Sequence, residues 1–403
     1  MPMIEALQHL FSSVERGFFP QQRRGFQTVA VSEELIGTAD LQTLEDAAFY
    51  ALSRERLAAA LFPIKETFYQ LPSGRYAVGR TIYLGLDSLG REGNYLTHHL
   101  IVSRADLLMA QADPFNLLSA LPSNPAETDL TPRTLAPLIV DSNPLPLPAR
   151  LPEEISPALF AALAKSVIDG QEKTTLLIGD EAKTRRVLQS LFGVLALEER
   201  LKLTFSTHFY EAQQQRALFA LALVGSHAEA PSQRQQFVIF DAAGGEAPAL
   251  QSSSAYAEWL SDCLLAGRLA EVRELNESLN ALRGGSAVIS DQLLSSVQAC
   301  AALRERAGGS FAATLKGRPR TVKLLLNQLS APRELADAIL AAASPDELCG
   351  QAVPETAAEC LSALRAAATG KVWSEWVNRW KADSALSALP HKGASWWQKW
   401  RRT

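Results

Sequence analysis

The chain has no excess of either charge: 39 basic residues stand against 43 acidic ones, a net charge of -4 at pH 7. No global field draws in nucleic acid, which is not expected as a partner, and any basic site has to be local. Cysteine is scarce. The four, Cys263, Cys300, Cys349 and Cys360, fall in the last third at spacings that match no zinc or redox motif. They read as small buried hydrophobes, and no metal or cofactor is expected. An uncharged run of about 18 apolar residues, enough to cross a bilayer, is missing as well. The first residues, MPMIEALQHLFSSVERGFFP, contain an early acid and no cleavable apolar core, so the expectation is a soluble, reduced, cytoplasmic protein.

Nucleotide and catalytic motifs are also lacking. A phosphate loop, glycine then four residues then Gly-Lys-Ser/Thr, occurs nowhere, and Lys316-Gly317 lacks the rest of that pattern. The string from Asp87 to Gly90 matches a short aspartate-x-x-glycine pattern, but without a phosphate loop it carries no weight. The chain is therefore not read as an NTPase. Ser73 and Ser88 sit in plain turn contexts, and no serine or cysteine near them forms a nucleophile motif.

What is present is a well-buried globular composition, 47% hydrophobic and 20% charged over 403 residues, enough for two or three domains. The pattern predicts an α/β (α+β) protein in three parts: a mixed-sheet α/β domain at 1–145, a second α/β domain at 153–250, and an all-helical domain at 251–403. Residues 1–20 read as a short mixed segment, with His9 on an apolar helical turn. Gly25 to Ser32 reads as a strand. A helix capped by Thr38 or Asp40 should run to about Leu61 before Pro63. Two strands then flank a Pro72-Ser73-Gly74 turn, a glycine loop runs from Gly85 to Asn94, and YLTHHLIV forms a third strand. Ser103 with Asp106 opens a short helix.

The proline-rich stretch at 142–154 marks a connector. Beyond it, helices at 156–169 and 181–195 alternate with strands in KTTLLIGD, KLTFSTHF, ALFALALVG and QFVIFDA. Glu198, Glu199, Arg200 and Lys202 read as a solvated helix end. After Ser253 the chain is Ala/Leu-rich and helix-forming.

One stretch, Leu71 to Val102, gathers glycine, charged, amide, aromatic and histidine side chains between two strands. Alternation puts His98 with Leu96, Leu100 and Val102 on one face, and His99 with Tyr95, Thr97 and Ile101 on the other. Neighbours on opposite faces cannot hold one metal together. An imidazole on an apolar face needs a partner, and Asp87, Arg91 and Asn94 of the loop are the candidates. His98 then either pins the loop to the sheet or joins those residues in a polar binding pocket. The rival to a binding protein is an enzyme that uses the same cluster as an acid/base group.

The other unusual feature is the C-terminus, where six of the seven tryptophans lie between Trp373 and Trp400. Trp373, Trp376 and Trp380 have helical spacing and should pack a terminal helix onto its domain. Trp396, Trp397 and Trp400 follow Pro390 and Gly393 and stand among Lys399, Arg401 and Arg402. That aromatic and basic end suits a partner groove. It also suits peripheral contact with an anionic membrane, though a protein partner is favoured.

With these residues in view, the sequence resembles the bacterial GTPase-associated protein family, known from predicted conflict and anti-phage operons. The resemblance rests on the run Gly90, Arg91, Gly93, Asn94, Tyr95 and His98, on GFQTVAVSEEL, and on LALEERLKLTFSTHF, and it spans roughly residues 20–245. It implies a non-NTPase component that works with a separately encoded GTPase, as an adaptor or regulator.

Overall fold

The computed structural model describes residues 3–20, 24–87, 89–124, 128–141, 151–153, 155–168, 173–210, 218–226, 236–243 and 255–270. Beyond these it describes 272–273, 276, 319, 322–323, 326, 332–342, 344, 347–348 and 354–386. The chain divides into two compact units, Met1–Arg273 and Glu274–Thr403.

The first unit is built on one eleven-stranded sheet in the order β11-β8-β10-β9-β3-β4-β5-β1-β2-β6, with β7 pairing β1. Its antiparallel half comprises β1 (Met3–Val14), β2 (Gly25–Val31), β3 (Lys65–Gln70), β4 (Tyr76–Leu86), β5 (Glu92–Val102) and β7 (Leu138–Asp141). The short β6 (Arg133–Thr134) runs parallel to β2. Its parallel half is β8 (Thr175–Ile178), β9 (Phe205–Ser206), β10 (Leu221–Val224) and β11 (Val238–Asp241).

β1 corrects the helical turn expected around His9. Its apolar spacing fits either period, and pairing with β5 on one side and β2 on the other decides for a strand.

The helix expected from Thr38 to Leu61 is two helices, α1 (Ala39–Ala47) and α2 (Arg54–Ala58). Thr38 caps the first, as the sequence indicates, and Ser53 caps the second. The break has a cause in the sheet. Lys65 Nζ donates to the carbonyls of Ala47 and Phe49 at 3.0 and 2.6 Å, Thr97 Oγ1 to that of Ala48 at 3.3 Å, and His208 Nε2 to that of Ala51 at 2.8 Å. Carbonyls taken by sheet side chains are not continued into a helix.

After β5, Ser103 caps α3 (Arg104–Met109), and Asp113 caps α4 (Pro114–Ser119) with proline at its first position. α5 (Pro157–Ile168), α6 (Glu181–Val194), α7 (Leu197–Lys202) and α8 (Ala255–Leu265) complete the unit.

The two α/β segments expected on either side of residues 142–154 share this one sheet. β3 pairs antiparallel with β9 at Thr67↔Ser206 and Phe68↔Phe205. Phe68, Phe115, Phe192 and Phe205 pack ring against ring across that junction, with centroids 5.4 to 6.1 Å apart. On the opposite face, Leu41 and Leu44 of α1 pack with Val31, Tyr69 and Ile101. β8 and β10 are buried along their length, as their unbroken apolar runs require. The solvated helix end expected at 198–202 is also corrected. Glu199 and Arg200 are buried, with Arg200 Nε donating to Leu195 O at 2.9 Å and Nη1 to Gln111 O at 3.0 Å.

The second unit is helical where it is described, with α9 (Pro332–Ala342), α10 (Pro354–Ala367) and α11 (Gly370–Leu386). Asp337 accepts the Thr369 N–H at 2.9 Å, which ties the start of α11 to α9. Trp376 is buried with its ring 5.3 Å from that of Trp373. Cys263 and Cys360 are buried, while Cys300 and Cys349 lie outside the described residues.

Candidate functional site

β4 and β5 pair from Tyr76↔Val102 to Leu86↔Glu92, so each histidine meets a different set of neighbours. On the His98 face, Gln8 Nε2 donates to Ala136 O at 2.6 Å, which turns Gln8 Oε1 toward His98 Nε2 at 3.0 Å. An amide oxygen only accepts, so His98 carries its proton on Nε2 and leaves Nδ1 a bare, buried acceptor. Burial, with the Arg80 guanidinium opposite, holds the imidazole at about 4. Arg80 faces away toward β3. There Glu66, almost wholly buried, takes Arg80 Nη2 at 3.0 Å and Arg185 Nε and Nη2 of α6 at 2.8 and 3.1 Å. One carboxylate thus links the antiparallel half to the parallel half.

The loop residues do not gather around His98. Asp87 closes the β4–β5 turn on itself: its carboxylate accepts the N–H groups of Leu89 and Arg91 at 2.9 Å and the Arg91 guanidinium at 2.7 Å. Those Arg91 bonds hold the Asp87 carboxyl below the usual carboxylate range. Gly85, Gly90 and Gly93 all have φ between +74 and +103°, the left-handed backbone that such a turn demands. Asn94 serves the neighbouring strand, its Oδ1 accepting from Ser13 N at 3.3 Å and Ser12 Oγ at 3.4 Å of β1. Tyr95 is buried and stacks on Phe26 at 4.3 Å. The run Gly90 to Tyr95 therefore builds a turn and pins a register, with His98 engaged elsewhere.

Sequence reasoning missed the other face. His99 lies directly opposite His9 of β1, with Nδ1 to Nδ1 at 3.2 Å. Tyr69 Oη lies 3.2 Å from His99 Nε2, His9 Nε2 lies 2.9 Å from Thr28 Oγ1, and Thr28 donates to Glu45 Oε1 at 2.5 Å. The carboxylate end fixes every proton. Thr28 spends its hydrogen on Glu45, so it accepts from His9 Nε2–H; His9 Nδ1 is then bare and accepts from His99 Nδ1–H; His99 Nε2 accepts from Tyr69. Five side chains on four strands and a helix form one chain of bonds with a single sense.

Burial keeps both imidazoles neutral, with His9 held at about 3 and His99 well below its usual value. Tyr69 is pushed up by the same desolvation. Gly79 makes the space: a Cβ there would stand 2.4 Å from His99 Cδ2 and 2.7 Å from Thr67 Oγ1. Lys65, also fully buried, is held at about 7 by desolvation. The signal that could have found the chain was His9 in register with His99, which requires knowing that residues 3–14 are a strand.

Residues 3–137 match the family described as GTPase-associated protein 1, N-terminal domain type 2. This match supports the resemblance to the GTPase-associated family over that segment and supplies its type. No curated protein matches the chain. The matched segment holds both the turn and the buried chain.

Chemically, the site is built for holding. Among the described residues no group of three histidine, cysteine or acidic side chains could hold a metal ion, and no helix is long and apolar enough to cross a membrane. The first turn after β8, where a phosphate loop would lie, is closed by acid: Asp180 accepts the Lys183 N–H at 3.0 Å and Glu181 pairs with Arg56. Carboxylates at that helix start repel a phosphate. Trp396, Trp397, Lys399, Trp400, Arg401 and Arg402 lie outside the described residues.

Proposed function

We propose that this chain is a non-enzymatic adaptor or regulator that assembles with a separately encoded GTPase in a bacterial defence system. The observation that carries the reading is the match of residues 3–137 to a GTPase-associated domain. Two features support it. The side chains that the sequence singles out in the Leu71 to Val102 stretch are engaged in internal bonds: Asp87 with Arg91, Asn94 with β1, His98 with Gln8 and His99 with His9. The βα turn after β8 carries carboxylates at the position a nucleotide phosphate would need.

Co-expression with a GTPase encoded in the same operon, followed by pull-down in the GDP and GTP-analogue states, tests the assignment. A complex in at least one state is expected. Its absence from both removes the adaptor reading.

A further inference from the structure

We infer that α7 is a clamp that holds the corner between α3 and α4 in a strained shape, and that this corner is the release point of the joint between the two halves of the sheet. The inference does not depend on the GTPase reading. Among the described residues, three other than glycine have left-handed backbone, and two of them are adjacent in this corner: Gln111 at φ 56° and Ala112 at φ 50°. Glycine adopts that conformation freely. A side chain makes it costly, and it persists only where surrounding contacts impose it.

Contacts from three directions do so here. Within the corner the Ala112 N–H reaches back to Leu107 O at 2.7 Å, and Ala112 is fully buried. Beyond it, Pro114 keeps Asp113 in extended backbone, so α3 cannot run straight on into α4. From the parallel half, α7 grips α3 at both ends. Arg104, the first residue of α3, donates through Nη2 to both carboxylate oxygens of Glu198 at 2.7 and 2.8 Å, and Arg200 Nη1 donates to Gln111 O at 3.0 Å just past the last. Arg200 is buried, and its Nε donates to Leu195 O at 2.9 Å, so one guanidinium joins a peptide carbonyl on each side of the joint. Asp113 nearby accepts the N–H groups of Phe115 and Asn116 at 2.8 and 3.3 Å, capping α4. Phe115 then packs on Phe192 at 5.4 Å and on Phe205 at 5.6 Å. The grip on Gln111 thereby fixes where α4 starts, and the start of α4 places the ring that closes the joint.

The test uses the full chain. Gln111→Gly and Ala112→Gly should each raise the melting temperature by about 1 to 3 °C, because glycine removes the strain, whereas Gln42→Gly on the exposed face of α1 should lower it. Arg200→Met should speed deuterium uptake at the amides of Gln111, Ala112 and Asp113 by about tenfold or more. Adding Ala112→Gly to Arg200→Met should return most of that protection, since an unstrained corner needs no clamp. If Arg200→Met does not fold, Glu198→Gln loosens the other end of the grip at a half-buried pair and gives the same comparison with a smaller increase. If neither glycine raises the melting temperature, the corner stores no strain and the inference is overturned. If glycine leaves the fast exchange of the clamp variant unchanged, Arg200 is an ordinary buried bond, and the inference is overturned as well.

Discussion

The pair β4 and β5 crosses a dry chain of hydrogen bonds at its middle and ends in solvent at its tip. Both regions are organised around a carboxylate, Glu45 in one and Asp87 in the other. In the middle every donor has one acceptor, and His9, Thr28, Tyr69 and His99 are fully buried, so removing one of them strands its neighbours and costs on the order of 1 to 3 kcal/mol per orphaned atom. At the tip Arg91 is 65% exposed, and solvent replaces the bonds of its guanidinium when a substitution removes them. The same chemistry is structural in one place and a matter of shape in the other.

The contrast can be broken first at Gly79. Gly79→Ala puts a methyl group against the His99 ring and Thr67, and should destabilise the fold by about 3 kcal/mol or more, read by denaturant unfolding. A cost below about 1 kcal/mol would mean that the ring moves freely and the chain is not locked.

Next, His9→Ala leaves Thr28 and His99 without their partner and opens a cavity, for an expected loss of roughly 2 to 3 kcal/mol. His99→Ala should cost a similar amount. The double variant should cost about 1 kcal/mol less than the sum, since both belong to one chain; additive losses would show two independent pairs.

Acid gives the third measurement. His9 titrates at about 3 and His98 at about 4 in the fold, with His99 also depressed, against 6.5 when exposed. Below pH 6.5 the unfolded chain therefore binds more protons than the native one, and stability falls with pH by up to about 1.4 kcal/mol per unit for each histidine. Asp113, pushed up to about 6, acts in the opposite sense between pH 6 and 3.8, one group against three. Lys65, at about 7 in place of 10.5, adds stability only as pH rises through that interval. The melting temperature should drop steadily from pH 7 to 5, less steeply in His9→Ala; a flat profile would show the imidazoles to be hydrated.

Smallest of all, Asp87→Ala should leave the denaturant midpoint nearly unchanged, while the Leu89 amide exchanges with deuterium far faster. A loss as large as that of His9→Ala would erase the distinction between the two regions.

Much of this arrangement was legible in the sequence. The β4 and β5 strands, the Thr38 and Ser103 caps, the strands of the second α/β segment and the split of His98 from His99 all follow from local pattern. Other features depend on contacts that no window reveals. Glu66 meets Arg185 across 119 positions, and the helix predicted to Leu61 ends early because Lys65 and Thr97 claim its carbonyls. Choosing His98 over His99 followed the neighbouring loop. The deeper network required His9, whose strand is settled by its partners on both sides and not by its own spacing.

The single sense of the buried chain turns its hydrogens into a clock. Imidazole N–H protons ordinarily trade with water too quickly to be followed. Those between His99 and His9, and between His9 and Thr28, are shut away with side chains that are fully buried. They can leave only when β1 separates from β5 or from β2, so the lifetime of their resonances in heavy water times the opening of the sheet at its centre.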